Sequence, residues 1–222
     1  MTVRVNKPAV NLREELASLR NQGGYSEQQF HFDGLVTNGT FDSDTDWAKG
    51  TGFSIGSGVI TKATGSGNGV AASTGLSIPL RAGVNYVARV EVTAVNGVQL
   101  GFGSVASYSG LLGQTFVLAV GTNTLNFVAN GDHSKVGFRG NNSWTITADN
   151  ISVFETDGTN VIYTMPKGWV PKDVFEDGLL QREGAAHDYE VVYDGFDYKI
   201  KPAVAPSATI YCARRAVALR YS

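Results

Sequence analysis

The sequence predicts an all-β protein: a jelly-roll β-sandwich plus a smaller C-terminal β domain, preceded by a short N-terminal amphipathic helix. Three observations lead there. Glycine is abundant and local, with 27 in 222 residues and 20 of those within residues 34–155. That same stretch holds only 13 charged side chains. Short β-patterned runs recur through it between turn signals, at the count expected of a sandwich or jelly roll.

The clearest of these runs is Asn85–Ala94. Tyr86, Ala88, Val90 and Val92 fall on one face, and Arg89, Glu91 and Thr93 on the other, the period of a half-buried strand. Asn96-Gly97 follows and reads as a two-residue hairpin turn into Val98–Phe102. Thr115–Val120, Thr124–Val128, Val136–Phe138 and Trp144–Phe154 continue the series. Gly65-Ser-Gly-Asn-Gly69 is too polar for a core and reads as a loop.

Residues 1–33 differ. Asn11 suits a helix N-cap, with Glu14 three residues on as in a capping box. Leu12, Leu16 and Leu19 make one apolar stripe with Val10 just ahead, so a helix is expected over about 11–21, ended by Gly23-Gly24. A helix this short is unstable alone in water. Its stripe must dock, either on its own domain or on another chain. Gly23-Gly24 and the polar run Ser26–Gln29 read as a tether, which favours the second.

Residues 156–222 carry 17 charges in 67 residues. Five strand-like runs recur there: Val161–Met165, Val174–Phe175, Tyr189–Tyr193, Tyr198–Lys201 and Thr209–Ala213, with Asp194-Gly195 as a turn. The expected organisation is therefore an arm over 1–33, a sandwich over 34–155 and a small β domain over 156–222. Arg214, Arg215 and Arg220 give the C-terminal end a basic character, read either as a solvated tail or as a final strand.

Composition narrows function. A net charge of −2 leaves no electrostatic footprint for nucleic acid. No apolar run is long enough to span a membrane, and the first twenty residues have no apolar core of a secretory signal. One cysteine, Cys212, excludes a disulfide framework and fits folding in a reducing compartment. Gly52-Phe-Ser54-Ile-Gly56 matches the G-x-S-x-G pattern, but β-patterned sequence follows where a nucleophile elbow needs a helix. His31, His133 and His187 are far apart, without metal-ligand spacing. No enzyme activity is expected.

Two features keep a binding reading open. Asp42, Asp44 and Asp46 alternate and offer hard oxygen ligands to a structural Ca²⁺, with Asp149 as a further candidate; the plain alternative is a solvated loop. No other cofactor is expected. Trp47, Tyr108 and Trp144 are candidate platforms for a glycan, the alternative for the tryptophans being core packing.

Three segments also resemble known families. Val3-Arg-Val-Asn-Lys-Pro8 and Val10–Leu19 resemble the N-terminal anchor of tail-fibre-like virion proteins of tailed bacteriophages. Leu35-Val-Thr-Asn-Gly-Thr-Phe41 followed by Trp47, and Thr145–Val153, resemble the first and last strands of carbohydrate-binding-module-like jelly rolls. In those modules these strands pair, with calcium often near their ends, which makes Asp149 and Asp42 candidate ligands by resemblance. Tyr163–Pro171, Phe175–Gly178 and Asp188–Val192 resemble a small β module of phage appendages.

The resemblances imply a phage virion structural protein, a tail fibre or tail-attached appendage made in the host bacterial cytoplasm. Val10, Leu12, Leu16 and Leu19 would dock on portal, adaptor, nozzle or capsid subunits. A homo-oligomer, such as a trimer, is expected. The alternatives are a head decoration or cement protein and a module that recognises a host surface glycan.

Overall fold

In the computed structural model the described residues are 25–31, 34–107, 113–165, 170–176, 179–203 and 211–218. They form strands and no helix. The expected helix over 11–21 lies outside them, with Val10, Leu12, Leu16 and Leu19.

In chain order, β1 (Tyr25–His31) is followed by ten strands of the sandwich: β2 (Trp47–Lys49), β3 (Phe53–Gly56), β4 (Val59–Lys62), β5 (Gly69–Ser73), β6 (Asn85–Asn96), β7 (Gln99–Gly103), β8 (Gln114–Val117), β9 (Gly121–Val128), β10 (Lys135–Gly140) and β11 (Thr145–Thr156). The C-terminal part adds β12 (Val161–Thr164), β13 (Pro171–Glu176), β14 (Leu179–Leu180), β15 (Tyr189–Tyr193), β16 (Tyr198–Pro202) and β17 (Tyr211–Ala218). One sandwich sheet has the order β2-β5-β10-β7-β8. The other places β11 beside β4 and β3 on one side and beside β6, then β9, on the other.

Alternation along the strands fills the space between the sheets. Tyr86, Ala88, Val90 and Val92 of β6 point inward as their spacing predicts, and share one core with Leu100, Phe102, Val136 and Phe138 from the facing sheet. Two aromatic groups anchor this core. Phe41 and Trp47 have ring centroids 5.1 Å apart, and Trp47 stacks on Phe138 at 6.2 Å. Phe127 sits 4.9 Å from Phe102 and 5.1 Å from Phe116.

Leu35–Phe41, which resembles a first strand, forms turns and one isolated bridge (Val36 to Leu76) rather than a strand, yet it lies against β11. The Leu35 amide donates to the Val153 carbonyl at 2.8 Å, and the Ile151 amide donates to the Gly39 carbonyl at 2.8 Å. Gly39 permits this approach: a β-carbon there would lie 2.0 Å from the Ile151 oxygen.

The structure corrects the hairpin expected at Asn96-Gly97. β6 and β7 do not pair; β6 lies between β11 and β9, and β7 between β10 and β8. The chain crosses from one sheet to the other at Gly97, which has φ +79° and lies against the Trp144 ring, 2.5 Å from where its β-carbon would be. Alternation identifies both strands correctly, but a period of two carries no information about which sheet a strand joins.

β12 forms a hairpin with β11, pairing Glu155 with Ile162 and Thr156 with Val161. β16 and β15 then extend the same sheet. This extension has its own core of Tyr163, Met165, Val174, Tyr189 and Ile200, against which Phe154 packs. Asp194-Gly195 turns β15 into β16, as expected; the Phe196 and Asp197 amides both donate to Asp194 Oδ1 at 2.9 Å.

A further sheet has the order β1-β17-β13-β14. Ser26–Gln29, read from sequence as a tether, lies within β1 and pairs with β17, Ser26 opposite Val217 and Gln29 opposite Arg214. This corrects the tether reading. A polar composition does not exclude a strand, because the ladder is made by backbone groups that every residue of the run carries. Arg214 and Arg215 lie in β17, so the basic end is a strand there rather than a tail.

Candidate functional site

The outer surface of the five-stranded sheet carries the small residues of the sandwich. Its geometry follows from register. Ala71, Phe138, Leu100 and Phe116 lie opposite one another and point into the core. The next row must point outward. That row is Ala48, Ala72, Gly137, Gly101 and Thr115, one residue from each strand. Across five strands at about 4.8 Å spacing it spans about 19 Å.

The middle of this row is buried, with Ala72, Gly137 and Gly101 closed to solvent. Ala72 is 0% exposed although it is no member of the core cluster. The adjoining outward row is Val70, Arg139, Gln99 and Val117. Arg139, 9% exposed, is a buried member of that row beside Gln99. On the other side Lys135 donates to the Ser73 carbonyl at 3.4 Å and to the Thr74 carbonyl.

Sequence reading missed this face. Its signal is Leu100-Gly-Phe102-Gly103 and Val136-Gly-Phe138, where glycine alternates with large apolar residues. Such alternation puts large side chains on one face of the sheet and small residues on the other.

The sequence candidates are placed elsewhere. Trp47 is a core residue, 5% exposed, with its indole N–H donating to the Asn38 carbonyl at 3.0 Å. It offers no ring face to solvent, which corrects its reading as a glycan platform. Trp144 is half-buried against Gly97 and the core. Tyr108 lies outside the described residues.

The aspartates do not converge. Asp42 accepts from the Thr40 hydroxyl at 2.7 Å, Asp44 pairs with Lys49, and Asp46 accepts from the Thr45 hydroxyl at 2.9 Å. Asp149 accepts from the Asn150 amide at 2.6 Å, in a bulged part of β11. Among the described residues no three His, Cys, Asp or Glu side chains are grouped to hold a metal ion, so the calcium set is corrected to a loop whose carboxylates bond locally. The loop is closed instead by Asn38, whose amide donates to the Ser43 carbonyl at 2.7 Å and the Thr45 carbonyl at 2.9 Å. Ser54 lies on β3, sharing a hydrogen bond of 2.7 Å with Thr61 rather than standing on a nucleophile elbow.

A second polar cluster joins the sandwich to the C-terminal extension. Arg81 pairs with Asp194 at 2.6 Å, Lys199 with Asp194 at 2.9 Å and with Glu155, and the Thr164 hydroxyl donates to Glu155 at 3.1 Å. Burial alone would raise the Asp194 carboxyl; the Asp197 amide, Arg81, Lys199 and the Phe196 amide outweigh it and hold the group well below the usual carboxylate range. Arg81 also lies over the Phe196 ring at 5.3 Å. Two cations and two anions compensate one another here, the signature of a structural joint rather than of a reactive site.

The fold defines the class of this protein: an all-β, two-sheet sandwich of jelly-roll type with an all-β C-terminal extension. No protein-family model and no curated protein matches the chain. Among solved structures it is similar to the enzymatically active domain of Bacteriophage CBA120 tailspike protein 4, at 12% identity and TM-score 0.39 over 56% of this chain and 22% of that one. It is also similar to a mutant of a carbohydrate binding module family 29, at 12% identity and TM-score 0.36 over 59% of this chain and 93% of that one. A third is the family 11 carbohydrate-binding module of cellulosomal cellulase Lic26A-Cel5E of Clostridium thermocellum, at 11% identity and TM-score 0.26, covering 59% of this chain and 88% of that one. The chain thus spans about a fifth of the tailspike domain and most of each binding module. These likenesses assign no ligand to it.

Proposed function

We propose that this chain is a non-catalytic structural protein of a bacteriophage virion, a tail fibre or tail-attached appendage. It is made in the host cytoplasm and held to the particle by residues 1–24. One observation carries the non-catalytic reading: the carboxylates of the sandwich are each engaged locally. Besides the aspartates of the 42–46 loop and Asp149, Glu91 accepts from the Asn150 side-chain amide at 3.1 Å, Asp132 from the Ala82 amide at 2.9 Å, and Glu155 belongs to the joint. Glu91 and Asp149 sit opposite one another on β6 and β11, and Asn150 donates to both, which ties this pair into the sheet.

The virion reading is supported by the resemblance of Val3–Leu19 to fibre anchors. Burying Leu12, Leu16 and Leu19 on a particle subunit contributes about 5–8 kcal/mol before ordering costs. Deleting residues 1–24 leaves β1 intact. The truncated protein is expected to fold and to be missing from particles; normal incorporation refutes the anchor.

A second reading, in which the sandwich also holds a host surface glycan, is supported by the resemblance of Leu35–Phe41 and Thr145–Val153 to carbohydrate-binding-module-like jelly rolls. Glycan-array binding by the full chain supports it. An array without hits leaves the structural role alone, as fibre or as head decoration. Copy number per particle separates those two: dozens for a fibre, hundreds for a cement protein, as orders of magnitude set by symmetry.

A further inference from the structure

We infer that β9 is an interface between two copies of this chain, which pair edge to edge about a two-fold axis. β9 is an eight-residue strand at the border of its sheet, and among the described residues it pairs with β6 alone. Exposed strand edges in natural proteins are kept short or are blunted by charge, proline or a bulge. The other sandwich edges obey this: β2 has three residues beside the Asp44–Lys49 pair, and β3 and β8 have four each. β15, at the end of the extension, carries Glu190 between Asp188 and Asp194. β9 has none of these devices. Its sequence, Gly-Thr-Asn-Thr-Leu-Asn-Phe-Val, holds no charge and no proline, and its register with β6 runs without a shift.

Neutrality extends well beyond the strand. From Val92 to Gly131 the chain has no Asp, Glu, Lys, Arg or His. This stretch builds the end of β6 and all of β7, β8 and β9, so both sheets finish in neutral strands. Exposed apolar side chains fall within it: Val117 is 73% exposed, Val120 66% and Val128 52%. A charged partner would find nothing to recognise. A second copy meets Thr and Asn with Thr and Asn and no like charge, so symmetry itself supplies the complementarity.

The pleat then fixes the register. Thr122, Thr124, Asn126 and Val128 lie on the exposed face, whereas Leu125 and Phe127 pack on the core. Residues directly opposite in an antiparallel pair share a face, so even positions must meet even positions. Full overlap, with Gly121 opposite Val128, breaks this rule. The longest allowed pairings place Thr124 opposite the copy's Thr124, or Leu125 opposite the copy's Leu125. Either one joins the two sheets into a single continuous sheet.

The test is the mass of the full chain in solution by sedimentation velocity, across the micromolar range. The expected species is a dimer. Thr124→Lys combined with Asn126→Lys places like charges across the axis and is expected to weaken association about a hundredfold or more, since juxtaposed like charges are strongly unfavourable. Ser54→Lys, on the opposite edge, is expected to leave the dimer intact. Hydrogen exchange on the unaltered protein gives an independent reading: amides of residues 121–128 should be protected more at high concentration than at low. A monomer throughout, a trimer, a dimer untouched by the lysines, or exchange at 121–128 independent of concentration overturns the inference.

Discussion

Arg81 Nη2 lies 2.6 Å from Asp194 Oδ2, although 113 residues separate them in the chain. Arg81 follows β5 in the sandwich, and Asp194 starts the turn between β15 and β16. Their contact, with Glu155 and Lys199 alongside, fixes the C-terminal hairpin against the sandwich. Removing one member leaves the others partly buried and uncompensated. Asp194→Ala is expected to cost about 2–3 kcal/mol, read as a lower midpoint in urea unfolding. An unchanged midpoint means that the hairpin is held by its apolar core alone.

The same cluster sets an acid limit. Asp194 titrates lower in the folded chain than in the unfolded one, so it contributes stability that is fully present above its unfolded value of about 3.9. That contribution fades as pH falls from there toward the folded value. The unaltered protein should therefore lose stability between about pH 5 and pH 2 more steeply than Asp194→Asn. Parallel curves for the two proteins would show that Asp194 does not carry this dependence.

Trp47 behaves as a core residue. Trp47→Ala removes a ring that packs on Phe41 and Phe138, with an expected loss of about 3–5 kcal/mol. A folded variant of normal stability that has lost only glycan binding would return Trp47 to the role of a platform.

Gly39 is required where the turn segment 35–41 lies against β11. In Gly39→Ala the new methyl would strike the Ile151 carbonyl. Such backbone conflicts rank among the large single-residue effects, and a loss of about 3 kcal/mol or more is expected. Thermal unfolding measures it, with Gly56→Ala, which has open space around it, as the mild comparison.

Much of the sandwich is legible in the sequence because burial repeats with the pleat. Tyr86, Ala88, Val90 and Val92 announce β6, and Trp144, Ile146 and Ala148 announce the start of β11. The Asp194-Gly195 turn is legible for a local reason, since its carboxylate bonds amides two and three residues on. Asn96-Gly97 has equally strong local chemistry and is not a hairpin, because local signals bend the chain without choosing its next neighbour. The alternating aspartates have the pattern of a metal loop, yet each carboxylate finds its bond in the chain itself.

Side-chain pattern and backbone preference are properties of the chain alone. They mark the sandwich strands β6 to β11 and the Asp194-Gly195 turn, though not β2 to β5, and they concentrate glycine and neutral residues in one region. Which strands become neighbours is settled at the level of the folded molecule. There Ala48, Ala72, Gly137, Gly101 and Thr115 fall into one row of small residues, Arg81 meets Asp194, and β9 is left as an open neutral edge. The physical reason is that pairing joins residues far apart in the chain, and the period of two that marks a strand is the same whichever partner it takes.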